Sequence, residues 1–345
     1  MVARLRQAAI PGRMRVPRQP LLRNGLITLA AGGALYLASS LLSENANFNL
    51  AEIAAYAIVI AGLTLLIGGT GQISLGHAAL MTVGAYSYAY LEQHQPHLPI
   101  LAGLLFATAF TAAAGAVIGL AAARLRGPYL AGVTLALGVA VPDLAGHYFN
   151  SDQGIPVSLT SPGAYTTRPN HYLALICLST ALVTFFVLAN LRRSRLHRSF
   201  TAVRDHEIAA SLCGISVART QCLAFVLSAA CAGLGGALLS LALFGATPSE
   251  FPLTLSIQLL AATVIGGMAG LGGAVAGAVL IVYVPLWVAH VASGSQGNLA
   301  LNLPSLVFGF LVIGVVMVWR DGIEGRLRWL AGRILAHLPR SRPSN

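Results

Sequence analysis

Between residues 26 and 319 the chain is a succession of apolar runs, at about 26–42, 50–69, 73–91, 99–123, 129–149, 171–191, 220–244, 254–271, 273–292 and 303–319. Most approach the ~20 residues that carry a helix across the hydrocarbon core of a bilayer. No water is available there to satisfy backbone N–H and C=O groups, so such runs can only be helices or strands of a closed barrel. Unbroken apolar runs rather than alternating ones favour helices. Composition agrees: 9% of residues are charged and mean hydropathy is +0.75, against roughly 25% charged in an ordinary soluble domain. The sequence therefore predicts an all-α polytopic membrane protein with about ten transmembrane helices. Glycines run the pairs 50–91 and 254–292 together, so the count is good to one span.

Arginine orients the bundle. With ten spans and the N-terminus inside, segments 1–25, 124–128, 192–219 and 320–345 are cytoplasmic and hold six, two, six and six of the 21 basic residues, leaving only Arg168 outside. That asymmetry is the positive-inside pattern and predicts N-in, C-in. The division that follows is a basic cytoplasmic tail (1–25), a transmembrane domain (26–319) containing a cytoplasmic loop (192–219), and a cytoplasmic tail (320–345). In the last, Leu327, Leu330, Ile334 and Leu338 alternate with Arg326, Arg328 and Arg333 as in a helix lying on an anionic leaflet. A cleaved leader is the weaker reading of residues 1–42, because the basic region is long and the apolar stretch nearly spans.

The net charge of +11 is distributed by topology and does not mark a nucleic-acid surface. Lysine is absent altogether. That excludes a Walker A phosphate loop and Schiff-base chemistry within these residues. The four cysteines, Cys177, Cys213, Cys222 and Cys231, form no CxxC pair and read as small packing residues. Outer connections carry acids (Glu44, Glu92, Asp152, Glu250), and the longest, 150–170, is rich in glycine and proline and reads as a linker or as a lid. His94 and His97 share one of these connections without companion ligands.

Four stretches carry more than hydrophobicity. In Arg192–Arg219 a short helix is expected from Asp205 to Cys213, with Asp205 as N-cap and Gly214 as the left-handed residue beyond its end. Ile208, Leu212 and Ile215 give it an apolar face, beside Arg204 and Glu207. At Gly68–His77, four glycines with Gln72, Ser74 and His77 interrupt two spans. Unwound backbone in a membrane needs protein or a polar cavity around it. Gly71, Gln72, Ser74, Gly76 and His77 are thus candidates for a substrate path, and close packing through small residues is the equal alternative. Gly266, Gly267, Gly270, Gly273 and Gly277 bring no polar side chain and read as helix packing or a tight turn, as do Gly233, Gly235 and Gly236. Asp143, beside Pro142, is the candidate ionisable group for a proton-coupled mechanism, though a carboxylate near an outer helix end equally reaches water.

GQISLGHAALMTVGAYSYAYL (71–91), GPYLAGVTLALG (127–138), AVRDHEIAASLCGISV (202–217) and LSIQLLAATVIGGMAGLGGAVAGAVL (255–280) together resemble the inner-membrane permeases of bacterial ABC importers for branched-chain amino acids, nearer the M-type of the two permease subunits. The resemblance covers most of 50–290, in order. It implies a multi-pass inner-membrane subunit that binds no cofactor itself. ATP and Mg would be used by two cytoplasmic ATP-binding subunits, alongside a second permease, a periplasmic or extracellular substrate-binding protein and the bilayer, with no nucleic acid.

It also makes Arg204, Asp205, Glu207, Ile208, Ala209, Ala210, Leu212 and Gly214 the ATPase-coupling segment. The family's E-A-A-x-x-x-G pattern has its glutamate where Ile208 stands here, with Glu207 one residue earlier. Departures at 138–143 and 150–154 lie toward the outer face and bear on substrate identity. The expected function is a permease without its own ATPase site. An ion-gradient-driven secondary transporter is the alternative.

Overall fold

A computed structural model describes residues 32–122, 124, 128–149, 154–159, 168–268, 270–292, 307, 309–310, 314 and 322–326. The expectations for 1–25, for the last apolar run as a whole and for the amphipathic tail beyond 326 lie outside the described residues. Helices dominate: α1 (described over 32–41), α2 (Glu44–Thr70), α3 (His77–His94), α4 (Ile100–Ala122), α5 (Pro128–Tyr148), α6 (Pro169–Leu191), α7 (Arg195–Asp205), α8 (Glu207–Leu212), α9 (Val217–Ala242), α10 (Leu253–Gly266) and α11 (Gly272–Ala292). A helical segment follows at 322–326.

Among the described residues, six helical stretches are long and apolar enough to cross a membrane: α2, α4, α5, α6, α9 and Pro248–Gly266, with a shorter apolar stretch at Gly272–Val288 of α11. Expected runs and observed helices coincide closely at α2, α4, α5, α6 and α9. The run at 73–91 differs, because α3 begins only at His77 and residues 71–76 before it are not helical. The chain is a multi-pass membrane protein.

The bundle is built around α9, which packs on α2, α3 and α4. The apolar windows of α2 and α9 are 78% and 67% buried, those of α4 and α5 only 28% and 22%. The first pair forms the interior, and the second pair lies toward the outside of the bundle. Between apolar helices in lipid there is no hydrophobic gain to drive association, so close backbone approach through small residues takes over. The expected contact face on α9 is there. A methyl at Gly84 of α3 would overlap the Gly233 backbone, one at Gly236 the Met81 carbonyl, and one at Gly233 the Thr111 side chain of α4.

At the end opposite the arginine-rich loop, the long connection is tied down along its described part. Ile155–Pro156 (β1) pairs antiparallel with Gly245–Ala246 (β2). Ser158 donates its N–H and hydroxyl to Glu92 Oε1 at 2.9 and 2.7 Å. Glu44 caps α6 by accepting the Asn170 N–H at 3.1 Å. The linker reading does not describe residues 154–159.

Candidate functional site

α2 ends where Gly71 adopts φ +73 and returns its N–H to the Ile67 carbonyl at 2.9 Å. Residues 71–76 then belong to no helix or strand: Gly71 and Ile73 are exposed, while Gln72, Ser74 and Gly76 are buried. Outside regular structure the backbone N–H groups need other acceptors. Hydroxyls from neighbouring helices supply them. Thr134 Oγ1 of α5 accepts the Leu75 N–H at 3.0 Å, and Ser256 Oγ of α10 accepts the Ala78 N–H at 2.9 Å.

His77 is wholly enclosed, with Nδ1 3.1 Å from Ser74 Oγ and Nε2 2.8 Å from Ser228 Oγ of α9. Gln72 Oε1 receives the Thr70 hydroxyl at 3.4 Å. The polar side chains of the break are thus buried at a junction of α3, α5, α9 and α10. Two cavities are lined without any residue of 71–77. One, of about 560 Å³, lies beside Glu92, Tyr172 and Thr180. The other, of about 630 Å³, is an apolar groove beside Tyr86, Phe106 and Phe149. Sequence reasoning found Gln72, Ser74 and His77 and missed Thr134, Ser228 and Ser256. The available signal was a lone hydroxyl at a buried position of an apolar span.

The arginine-rich loop folds into two helices where one was expected. α7 starts at Ser194, whose hydroxyl accepts the His197 N–H at 3.4 Å, and buries Phe200 and Val203 against the bundle. α8 begins at Glu207, not Asp205. The His206 imidazole is its cap, accepting the Ala209 N–H at 3.3 Å. Asp205 closes α7 and pairs with Arg204 at 2.9 Å instead. An exposed pair of this kind contributes little, but Arg204 also donates Nη1–H to the Gly68 carbonyl at 2.6 Å, joining α7 to the end of α2. Gly214 takes φ +82 after α8, as expected of a left-handed end residue.

α8 turns its apolar side outward. Ile208 is 68% and Leu212 83% exposed, with Ala209 and Cys213 also open and Ala210 buried. Cys213 is therefore not a packing residue, unlike the buried Cys177 and Cys231. Glu207 faces inward and accepts from Gln221 Nε2 of α9 at 3.0 Å, which fastens α8 to α9. Beneath α7, burial and then the Arg192 and Arg204 charges hold the His197 pKa below its ordinary value.

The glycine-rich turn at Gly266–Gly273 packs backbone against backbone: a methyl at Gly266 would overlap Gly273, and one at Gly277 would press on the Ala262 carbonyl. The turn meets the end of α2 at Gly68. Asp143 is exposed on α5 directly after the helix-internal Pro142.

Residues 45–316 match the family described as "Branched-chain amino acid transport system / permease component". The high-affinity branched-chain amino acid transport system permease protein LivM of Escherichia coli K12 is 32% identical over 254 residues, 66% of this chain and 60% of LivM. LivH of the corresponding system in Salmonella typhimurium LT2 is 26% identical over 297 residues, 79% of this chain and 91% of LivH. The autoinducer 2 import system permease protein LsrC of Enterobacter sp. strain 638 is 34% identical over 186 residues, about half of each chain. The match thus spans 60% of the length of the LivM relative. No solved structure matches the chain.

Proposed function

The chain belongs to the family of branched-chain amino acid transport system permease components, and from that premise we propose that it is the membrane-spanning subunit of a bacterial inner-membrane ABC importer. It moves branched-chain or related small amino acids inward by alternating access. ATP and Mg are used by two separate cytoplasmic subunits, a second permease completes the path, and a periplasmic or extracellular binding protein delivers substrate. The relatives support the class: LivM and LivH belong to branched-chain amino acid systems and LsrC to an autoinducer 2 system, so cargo varies among relatives.

In this reading about ten helices cross the membrane with both termini inside. Support comes from the arginines: the described parts of 192–219 and 322–326 meet the same ends of α2, α10 and α11. The observation that carries the reading is α8. An apolar pair, Ile208 and Leu212, stands exposed on a short helix that Glu207 fastens to α9. Its neighbour α7 is joined to α2 by Arg204. A face that the subunit's own fold leaves bare, on an element joined to two spans, fits a socket on a motor subunit. Movement there would reach the break at 71–77, where Gln72, Ser74 and His77 would exchange their internal hydrogen bonds for those of a solute in another state. Such a change requires contacts that differ between the two states.

The test is reconstitution in liposomes, alone and with the ATP-hydrolysing subunits, second permease and binding protein encoded beside it. ATP-dependent uptake only in the complete set is expected. Uptake by the lone subunit under a proton gradient overturns the proposal in favour of a secondary transporter.

A further inference from the structure

Two parts of the chain some fifty residues apart meet at the arginine-rich end. The segment 322–326 seats on the α10–α11 turn. Gly322, at φ +69, lies against the Gly267 backbone, and Glu324 is 8% exposed with its Oε2 accepting the Gly273 N–H at 2.9 Å. That bond satisfies one of the N–H groups that the first turn of α11 leaves open, and puts negative charge at the positive end of a helix. A methyl at Gly270 would overlap the Glu324 carboxylate, so glycine in this turn leaves room for the side chain. On its other side the turn abuts α2: a methyl at Gly68 would lie 2.5 Å from the Met268 carbonyl oxygen. The Gly68 carbonyl is the group that Arg204 of α7 holds. Glu324, the turn, the end of α2 and α7 therefore form one contiguous set of contacts.

We propose that Glu324 is the positioning residue of a clasp that makes the α10–α11 turn move as one body with α2 and α7. The inference rests on the reading of α7–α8 as the coupling element. A lever transmits movement only to what is firmly joined to it, because packed elements shift between discrete arrangements as units. With the carboxylate gone, the turn can part from the end of α2, and displacement of α7 is spent on opening that gap.

The test is the number of ATP molecules hydrolysed per amino acid imported by the complete transporter in liposomes. Glu324→Ala is expected to raise this ratio about 10-fold, within the usual range of coupling energies, with ATP hydrolysis itself retained. Glu324→Gln keeps an oxygen for the Gly273 N–H and should stay near wild type. An unchanged ratio in Glu324→Ala, or parallel loss of hydrolysis and uptake, overturns the clasp. Should Glu324→Ala fail to accumulate in the membrane, Glu324→Asp takes its place: it keeps the charge one methylene short of Gly273, and a wild-type ratio overturns the proposal.

A second readout needs no transport. Nitroxide labels at Arg198 and Met268, in the full chain with its four cysteines replaced, should give one narrow distance that broadens in the Glu324 variant. An unbroadened distance refutes the clasp, whereas absence of ATP-linked uptake in the wild-type complex refutes the transport reading instead.

Discussion

Leu212→Asp separates a docking face from an ordinary surface. Leu212 is 83% exposed and Ile208, one turn earlier, 68% exposed, so the subunit's own packing scarcely uses either side chain. Its thermal midpoint should therefore hold, since surface changes of this sort stay within about 0.5 kcal/mol. In a complex the account differs. Full burial of a leucine contributes roughly 1.5–3 kcal/mol, and an unpaired carboxylate in the same socket adds a penalty of several kcal/mol more. A total of even 3 kcal/mol corresponds to about a 150-fold loss of affinity. The measurement is a titration of the solubilised subunit with its ATP-hydrolysing partners, with uptake followed in parallel. Leu212→Ala, which loses only the burial, should cost about 10- to 30-fold. Wild-type affinity in Leu212→Asp would refute the docking argument. So would a lowered thermal midpoint, because it would mean that Leu212 serves the fold.

Other perturbations read the remaining links. Gly214→Pro cannot adopt φ +82; α8 should lose its fixed pose and uptake should vanish while membrane levels persist, as read by quantitative immunoblot. Ser256→Ala leaves the enclosed Ala78 N–H without its acceptor, a cost of about 1–3 kcal/mol visible as a lower melting temperature. Gly236→Val drives a side chain into the Met81 carbonyl, and overpacking of about 1–3 kcal/mol or more should cut the folded yield seen by size-exclusion chromatography.

For His197 the folded chain holds the imidazole pKa below its ordinary 6.5, so the unfolded chain binds more protons below that pH. Stability from the neutral ring is present above about 6.5 and is lost as pH falls toward the lowered value. Melting scans at about pH 7 and pH 5 should show a larger drop for the wild type than for His197→Phe.

The long helices were legible because each rests on a local cause: a run of apolar residues must be helical in lipid, whatever surrounds it. Gly214 was legible for the same kind of reason, since a left-handed residue after a helix favours glycine. The cap of α8 falls one residue later than expected, because Asp205 and His206 are both able to cap. The choice went to His206 once Arg204 engaged Asp205 beside the Gly68 carbonyl. Glu207 likewise could face a partner or the bundle, and Gln221, fourteen residues on, drew it inward. At the break, Gln72, Ser74 and His77 announced themselves as polar residues in an apolar setting. Ser228, which bonds His77, and Thr134, which accepts the Leu75 N–H, did not, because a single hydroxyl in a span can bond back to its own helix and carry no further meaning.

By itself the sequence determined what the medium demands: helices in lipid, arginines gathered in a few polar segments, no lysine for a phosphate loop, and glycine in the turns and helix faces where backbones come close. Each depends on composition or on residues a few positions apart. Only the tertiary structure decided which side chains close on one another. It joined Ser228 to His77 across 151 positions, Arg204 to Gly68 across 136, and Glu324 to Gly273 across 51. Hydrogen bonds act over about 3 Å, and nothing in the local pattern of an apolar helix records which neighbour will come that near.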